Sequence, residues 1–170
     1  MRPEKHLYYL GIAKAVCKRS PCIRARYGAI VVKNDAIVST GYNGPVRGGI
    51  NCYEVGCIKD ELGLPHGSSY EHCPAVHAEE NAIINAARTG SSVLGGTLYL
   101  YGEDAKTGEV ITSLPCDRCK RAIINAGISK VVIMRSDGSV EEIDVKQWVE
   151  KDTKEYLDKL ELARKGCLRA

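Results

Sequence analysis

The sequence predicts an α/β protein in which helices are layered on a central, partly parallel sheet. Two observations carry this. Helical and β-branched segments alternate along the chain, and 170 residues with 44% hydrophobic and 26% charged content suffice for one domain with a real core. The expectation is a single domain over residues 1–170, carrying a cysteine-rich insert at about 44–75.

The elements follow in order. Tyr9, Ile12, Ala13, Val16 and Cys17 form an apolar stripe at helical spacing, so a helix is expected from about Pro3 to Lys18. Gly28 to Val32 and Ala36 to Thr40 are β-branched runs around Lys33-Asn34-Asp35, which read as a hairpin. Gly41 to Cys73 is rich in Gly, Pro and polar residues and too long for a structureless loop unless something ties it down. A helix is expected from about Val76 to Arg88, a strand from Gly96 to Tyr101, and a surface turn over Gly102 to Gly108. Cys116 to Ala126 reads as a helix ended by Gly127, Val131 to Met134 as a buried strand, and Val140 to Ile143 as a further extended piece. Asp152 and Glu155 are spaced as a capping box for a last helix to Lys165. The segment around Trp148 fits no pattern.

Composition narrows the function. No apolar run approaches the ~20 residues that span a membrane, and the N-terminus lacks the apolar stretch of a signal peptide, so a cytoplasmic location is expected. A net charge of +3, with 6% aromatics and no Phe, is far from the basic, aromatic-lined groove of a nucleic-acid binder. A small anionic ligand suits it better. Eight cysteines are the unusual total, and in a reducing compartment they point to metal, zinc first.

Two helix starts carry the chemistry. Glu79 shares a helical face with Ala82, Ile83, Ala86 and Ala87, so a carboxylate heads the side that should face the core, where an unpaired charge would be costly. Cys116 and Cys119 line one face of the next helix with Ile123 and Ala126. Thiols three apart in a first turn can both reach one ion, and the positive end of the helix dipole favours the thiolates that bind metal. A third ligand from His77 leaves a fourth tetrahedral position open for water, whose pKa bound zinc lowers from 15.7 to about 7. Glu79, two residues past His77, is placed to move protons between that water and a substrate. Taken singly, His77 and Glu79 could be an ordinary helix N-terminus, and the cysteine pair a redox couple or half a zinc knuckle. Jointly, His-x-Glu followed by Pro-Cys-x-x-Cys is the signature of zinc nucleobase deaminases.

With those motifs the sequence resembles the deoxycytidylate deaminases. The likeness runs through Ser20-Pro21-Cys22, Gly28 to Val32, Gly41-Tyr42-Asn43-Gly44, His77 to Ile83, Gly96 to Tyr99, Pro115 to Cys119 and Ile123 to Ile128. The resemblance implies a three-layer α/β/α sandwich with a mixed central sheet, assembly into homo-oligomers, and hydrolysis of dCMP to dUMP and ammonia. It also implies that Asn43 contacts the sugar, that the Ala78 amide helps seat the pyrimidine, and that Arg24 and Arg26 meet the phosphate with forked donors. Tyr27 stands where a small aliphatic residue is usual, and Tyr101 to Ser113 is longer than the resemblance leads one to expect. Rival readings are a deaminase of a purine, a pterin or a base in RNA or DNA, and a non-catalytic zinc-stabilised binding module. The intact Glu79 speaks against the last.

Cys22, Cys52, Cys57 and Cys73 remain within the irregular region that needs an organiser. Four thiolates would close a second, structural zinc site, with His72 able to replace one, and similar deaminases carry a second zinc here. The alternative is four buried free thiols. Cys17 reads as core packing, and His6 and His66 as surface residues.

Overall fold

The computed structural model describes residues 1–167. Helix α1 (Lys5–Cys17) leads into the hairpin β1 (Ala25–Lys33) and β2 (Ala36–Tyr42). Asn34 and Asp35 both take positive φ, at 50° and 61°, the two-residue turn whose twist suits a tight hairpin. The insert holds strands β3 (Gly44–Pro45) and β4 (Ala75–Val76), with the single turns α2 (Cys52–Val55), α3 (Ile58–Glu61) and a 3-10 turn at Tyr70–His72 between them. β3 pairs antiparallel with β4, so a two-residue ribbon closes the insert at its base. Then come α4 (Ala78–Arg88), β5 (Thr97–Asp104), α5 (Asp117–Asn125), β6 (Lys130–Met134), β7 (Val140–Asp144) and α6 (Val145–Arg164).

The main sheet has the order β2-β1-β5-β6-β7. Only β5 and β6 run parallel, joined through α5, while the other pairs are antiparallel. The sheet is therefore mixed, with helices on both faces. On one face Ile30, Val32, Tyr99, Tyr101 and Val132 pack with Tyr9, Leu10, Ala13 and Cys17 of α1. Ala29, Val31, Leu98, Leu100, Val131 and Ile133 form the other face, against Ala78, Ala82 and Ala86 of α4, Ile123 of α5 and Val145 of α6. Strand alternation sorts neighbouring residues to opposite faces.

Two expected boundaries move. β5 runs through Gly102 to Asp104, where a turn was expected, because these residues pair with Ala25 to Tyr27 of β1. The turn falls at Ala105 to Thr107, where Asp104 Oδ1 accepts from the amides of Lys106 and Thr107, both at 2.8 Å. Helix α6 starts at Val145, capped by Asp144 rather than Asp152. Burial of Val145 and packing of Trp148 against the core draw the chain into helix before the capping-box pattern begins.

Glycines let the helices approach the sheet. A Cβ on Gly28 would lie 2.2 Å from the Ala13 carbonyl oxygen of α1, and one on Gly41 would lie 2.3 Å from the Ala82 nitrogen and 2.4 Å from the Ala78 oxygen of α4. Gly41 therefore sets how closely the start of α4 lies on β2. Gly41→Ala is expected to cost about 1–3 kcal/mol in urea unfolding, since the obstruction is backbone and α4 must move away. Gly11→Ala provides the opposite sign. Gly11 sits inside α1 with nothing within 4 Å of an added Cβ, so that change should stabilise by about 0.5–1 kcal/mol.

Candidate active site

Helices α4 and α5 meet at their N-termini. His77 occupies the cap position of α4 and Cys116 that of α5, both in extended backbone, which turns their side chains toward the gap between the two helix starts. His77 Nδ1 lies 3.5 Å from Cys116 Sγ and 3.3 Å from Cys119 Sγ. Among the described residues this is the one group of three or more His, Cys, Asp or Glu whose ligand atoms all lie within 4.8 Å of one another. A tetrahedral zinc with bonds of ~2.3 Å to sulfur and ~2.0 Å to nitrogen gives S···N edges of about 3.5 Å, so the three residues fit such an ion.

The three groups also act on one another's protonation, and Cys116 is the one drawn toward the thiolate that binds metal. The hydrogen bond from the Cys119 thiol pulls the Cys116 pKa down to about 3, with His77 adding to the effect. Cys119 is pushed up by the same bond to Cys116, then by burial. His77 is raised by its bond to Cys116.

Glu79 is 5% exposed in the first turn of α4. Burial raises its carboxyl pKa, with its own backbone N–H and the His77 charge acting the other way. It lines the same cavity as His77, Ala78 and Cys116. A tie that sequence reading missed holds the two helix starts together. Glu80 accepts from Arg118 at 2.8 Å and from the His77 amide at 3.3 Å, linking α5 to the cap of α4. Its signal lay beside the motif residues themselves, in Glu80 after His77-Ala78-Glu79 and in Arg118 between Cys116 and Cys119.

Asn43 also lies in the cavity wall, 7% exposed. Its Oδ1 accepts from Ser20 Oγ at 2.7 Å and from the Tyr27 amide at 2.8 Å, and its Nδ2 donates to the Ala25 carbonyl at 3.0 Å. These bonds lock the end of β2 to the start of β1 and leave one amide N–H uncommitted. Arg24 and Arg26 are separated. Arg24 lines the cavity, donating to the Leu64 carbonyl at 3.0 Å and pairing with Asp60 at 3.3 Å. Arg26 is not part of that wall. It shares a strand face with Gly28 and Ile30, on the α1 side, where its Nη1 lies 3.8 Å from the fully buried Glu103, itself bonded by Lys18 at 2.6 and 2.8 Å.

Cys22, Cys52, Cys57 and Cys73 all border this cavity. Burial, then the three other thiols, raises the Cys52 pKa, so the four stand near one another, although not within one ion's reach. Other wall residues had no signal in a linear pattern. Tyr70 meets the His77 ring edge-on with centroids 5.0 Å apart, and Lys59 and Leu114 also line the wall, as does Tyr27, which the resemblance had marked as a departure. His66, expected at the surface, is exposed at the cavity.

A family model for the cytidine and deoxycytidylate deaminase zinc-binding region matches residues 3–135. The chain belongs to this family. It is 38% identical over 136 residues to the deoxycytidylate deaminase of Mycobacterium phage D29, covering 77% of this chain and 94% of that protein. It is 34% identical over 131 residues to the deoxycytidylate deaminase of Schizosaccharomyces pombe, covering 77% of this chain but spanning only 37% of that relative's length. The crystal structure of dCMP deaminase from the cyanophage S-TIM5 in complex with dCMP and dUMP superimposes with a TM-score of 0.59 at 31% identity, over 78% of this chain and 82% of that one. The α/β/α sandwich with its mixed sheet is thus the fold of the deaminase family.

Asn43→Ala should cost about 1–3 kcal/mol in urea unfolding, because the Tyr27 amide and Ala25 carbonyl lose their partner. Replacing Cys119 by Ser should instead strip zinc from the purified protein, read by metal analysis, with the fold retained in circular dichroism.

Proposed function

We propose that this chain hydrolyses dCMP to dUMP and ammonia, acting as one deaminase domain with a resident zinc held by His77, Cys116 and Cys119. The observation that carries the reading is an imidazole and two thiols at tetrahedral-edge distances, with a buried carboxylate in the same cavity wall. The D29 and S-TIM5 relatives supply the substrate, since one is named a deoxycytidylate deaminase and the other is complexed with dCMP and dUMP.

When bound, zinc supplies an acidified water. The protein does the rest. Glu79, kept from bulk water, accepts the proton that the attacking water loses and delivers it to the ring nitrogen beside the reacting carbon; it then takes the remaining proton of the added hydroxyl and passes it to the amine as the C–N bond breaks and the carbonyl forms. Its raised pKa suits a group that must hold a proton between these transfers. The Ala78 amide, at the start of α4, seats the pyrimidine, and the uncommitted N–H of Asn43 meets the sugar. Arg24 is the arginine positioned for the phosphate. Arg26, turned to Glu103, is not.

A second, structural zinc on Cys22, Cys52, Cys57 and Cys73, assembly into a homo-oligomer and a cytoplasmic location complete the proposal. The shared cavity border, with the three other thiols acting on Cys52, supports the second zinc. No helix among the described residues is long and apolar enough to cross a membrane.

Glu79→Gln is expected to retain zinc and lose about 10²–10⁴-fold in kcat on dCMP, followed by ultraviolet absorbance. Near-normal turnover would remove Glu79 from its role, and a wild type inactive on every cytosine nucleotide would redirect the reading to purines, pterins or polynucleotides. Cys52→Ser should lower zinc from about two to one per chain and reduce thermal stability. An unchanged metal count and stability would leave the four cysteines as free thiols.

A further inference from the structure

We propose that Lys59 and His66 of the insert form, with Arg24, a wall that reads the two negative charges of a 5′-phosphate, so that the insert selects nucleotides over nucleosides. This rests on the deaminase reading of the same cavity. Lys59 is 7% exposed, yet among the described residues no carboxylate pairs with it. Its Nζ donates to the Ser68 carbonyl at 2.5 Å and stands 5.3 Å from the centroid of the Tyr70 ring. An ammonium carries three N–H donors, and a buried cation without a counter-ion is costly. Two of those donors still lack an acceptor.

Arg24 has the same shortage. Its Nη1 is buried with no hydrogen-bond partner, while Nη2 and Nε are spent on Leu64 and Asp60. Two acids act on this cluster: Asp60, which pairs with Arg24 and whose side chain is 47% exposed, so that much of its charge is screened by solvent, and Asp104, whose charge reaches His66. His66 lines the same cavity, and after desolvation the charges of Arg24 and Lys59 are what lower its pKa, which places it within their field. All three residues border the cavity that holds His77 and Glu79.

The chemistry that satisfies such a wall is a phosphate monoester, which carries close to two negative charges and several acceptor oxygens. Arg24 offers a second arm of its fork and Lys59 a point charge. A nucleoside would leave those donors unpaired, and a site built around buried polar groups rejects an analogue that lacks their partner. Arg24 precedes β1, but Lys59 and His66 come from the insert, so the insert supplies most of the selectivity.

The test is calorimetric binding of dUMP and deoxyuridine to the zinc-loaded protein, compared with Lys59→Met, Lys59→Arg and His66→Gln. Lys59→Met, which keeps the apolar stem beside Tyr70, should weaken dUMP by about 10- to 100-fold and deoxyuridine far less, and Lys59→Arg should restore most of the difference. Equal loss for both ligands would show Lys59 to be a brace for Ser68 and Tyr70 and would overturn the proposal, as would unaltered dUMP affinity. Should Lys59→Met fail to fold, His66→Gln with inorganic phosphate as competitor decides. Weakened competition by phosphate supports the wall, and wild-type competition overturns it. A wild type that binds dUMP selectively but does not turn over dCMP would sink the deaminase reading and leave the wall standing. Turnover of dCMP with a variant binding ratio that matches wild type would sink the wall alone.

Discussion

His77 belongs to one helix and Cys116 and Cys119 to another, yet their ligand atoms stand 3.3 and 3.5 Å apart. That proximity is the constraint on which the rest depends. Both helices point their N-termini at one place, where the helix dipoles favour thiolate, and the first turns expose side chains with no preceding helix to cover them. The Glu80 to Arg118 pair crosses the same junction, close enough to the site to act on its geometry rather than on global stability, for which a half-exposed pair counts little.

Holding two helix starts in register requires a rigid sheet beneath them. Alternation along β1 and β5 sends Ala29, Val31, Leu98 and Leu100 under α4 and α5, and Ile30, Val32, Tyr99 and Tyr101 under α1. Gly28 and Gly41 remove the side chains that would hold α1 and α4 away. At the edge of the cavity Asn43 does with three hydrogen bonds what a longer strand pairing could not, since β2 ends there and the chain must turn into the insert. The polar groups of the cavity therefore rest on backbone fixed by packing, as a preorganised site requires.

The insert gives the cavity its remaining wall. It has too little regular structure to form a core of its own, and the short β3–β4 ribbon ties its ends together beside α4. Its cysteines, Lys59 and Tyr70 all turn to the cavity instead of to a separate interior. A substitution in this segment can thus reshape the cavity wall without touching the sheet beneath α4 and α5.

The cluster of His77, Glu79, Cys116 and Cys119 was legible in the sequence because each half of it is local. His77 and Glu79 are two residues apart, Cys116 and Cys119 three, and helical periodicity turns such spacings directly into a shared face. The hairpin, α1, α4, α5 and the buried strands were legible for the same reason, through periods of two and 3.6 residues. What the tertiary structure alone decided involves partners far apart in the chain. Arg24 and Arg26 look equivalent in sequence, but strand alternation and the buried Glu103 turn Arg26 to the α1 face, while Arg24 stays at the cavity. Asp152 and Glu155 make a good capping box, yet burial of Val145 beside Trp148 starts α6 earlier, because packing free energy exceeds a cap's ~1 kcal/mol. Lys59 and Tyr70 carry no local signal, since their place in the wall depends on how the insert folds back toward the site, and long-range closure leaves no period in the sequence.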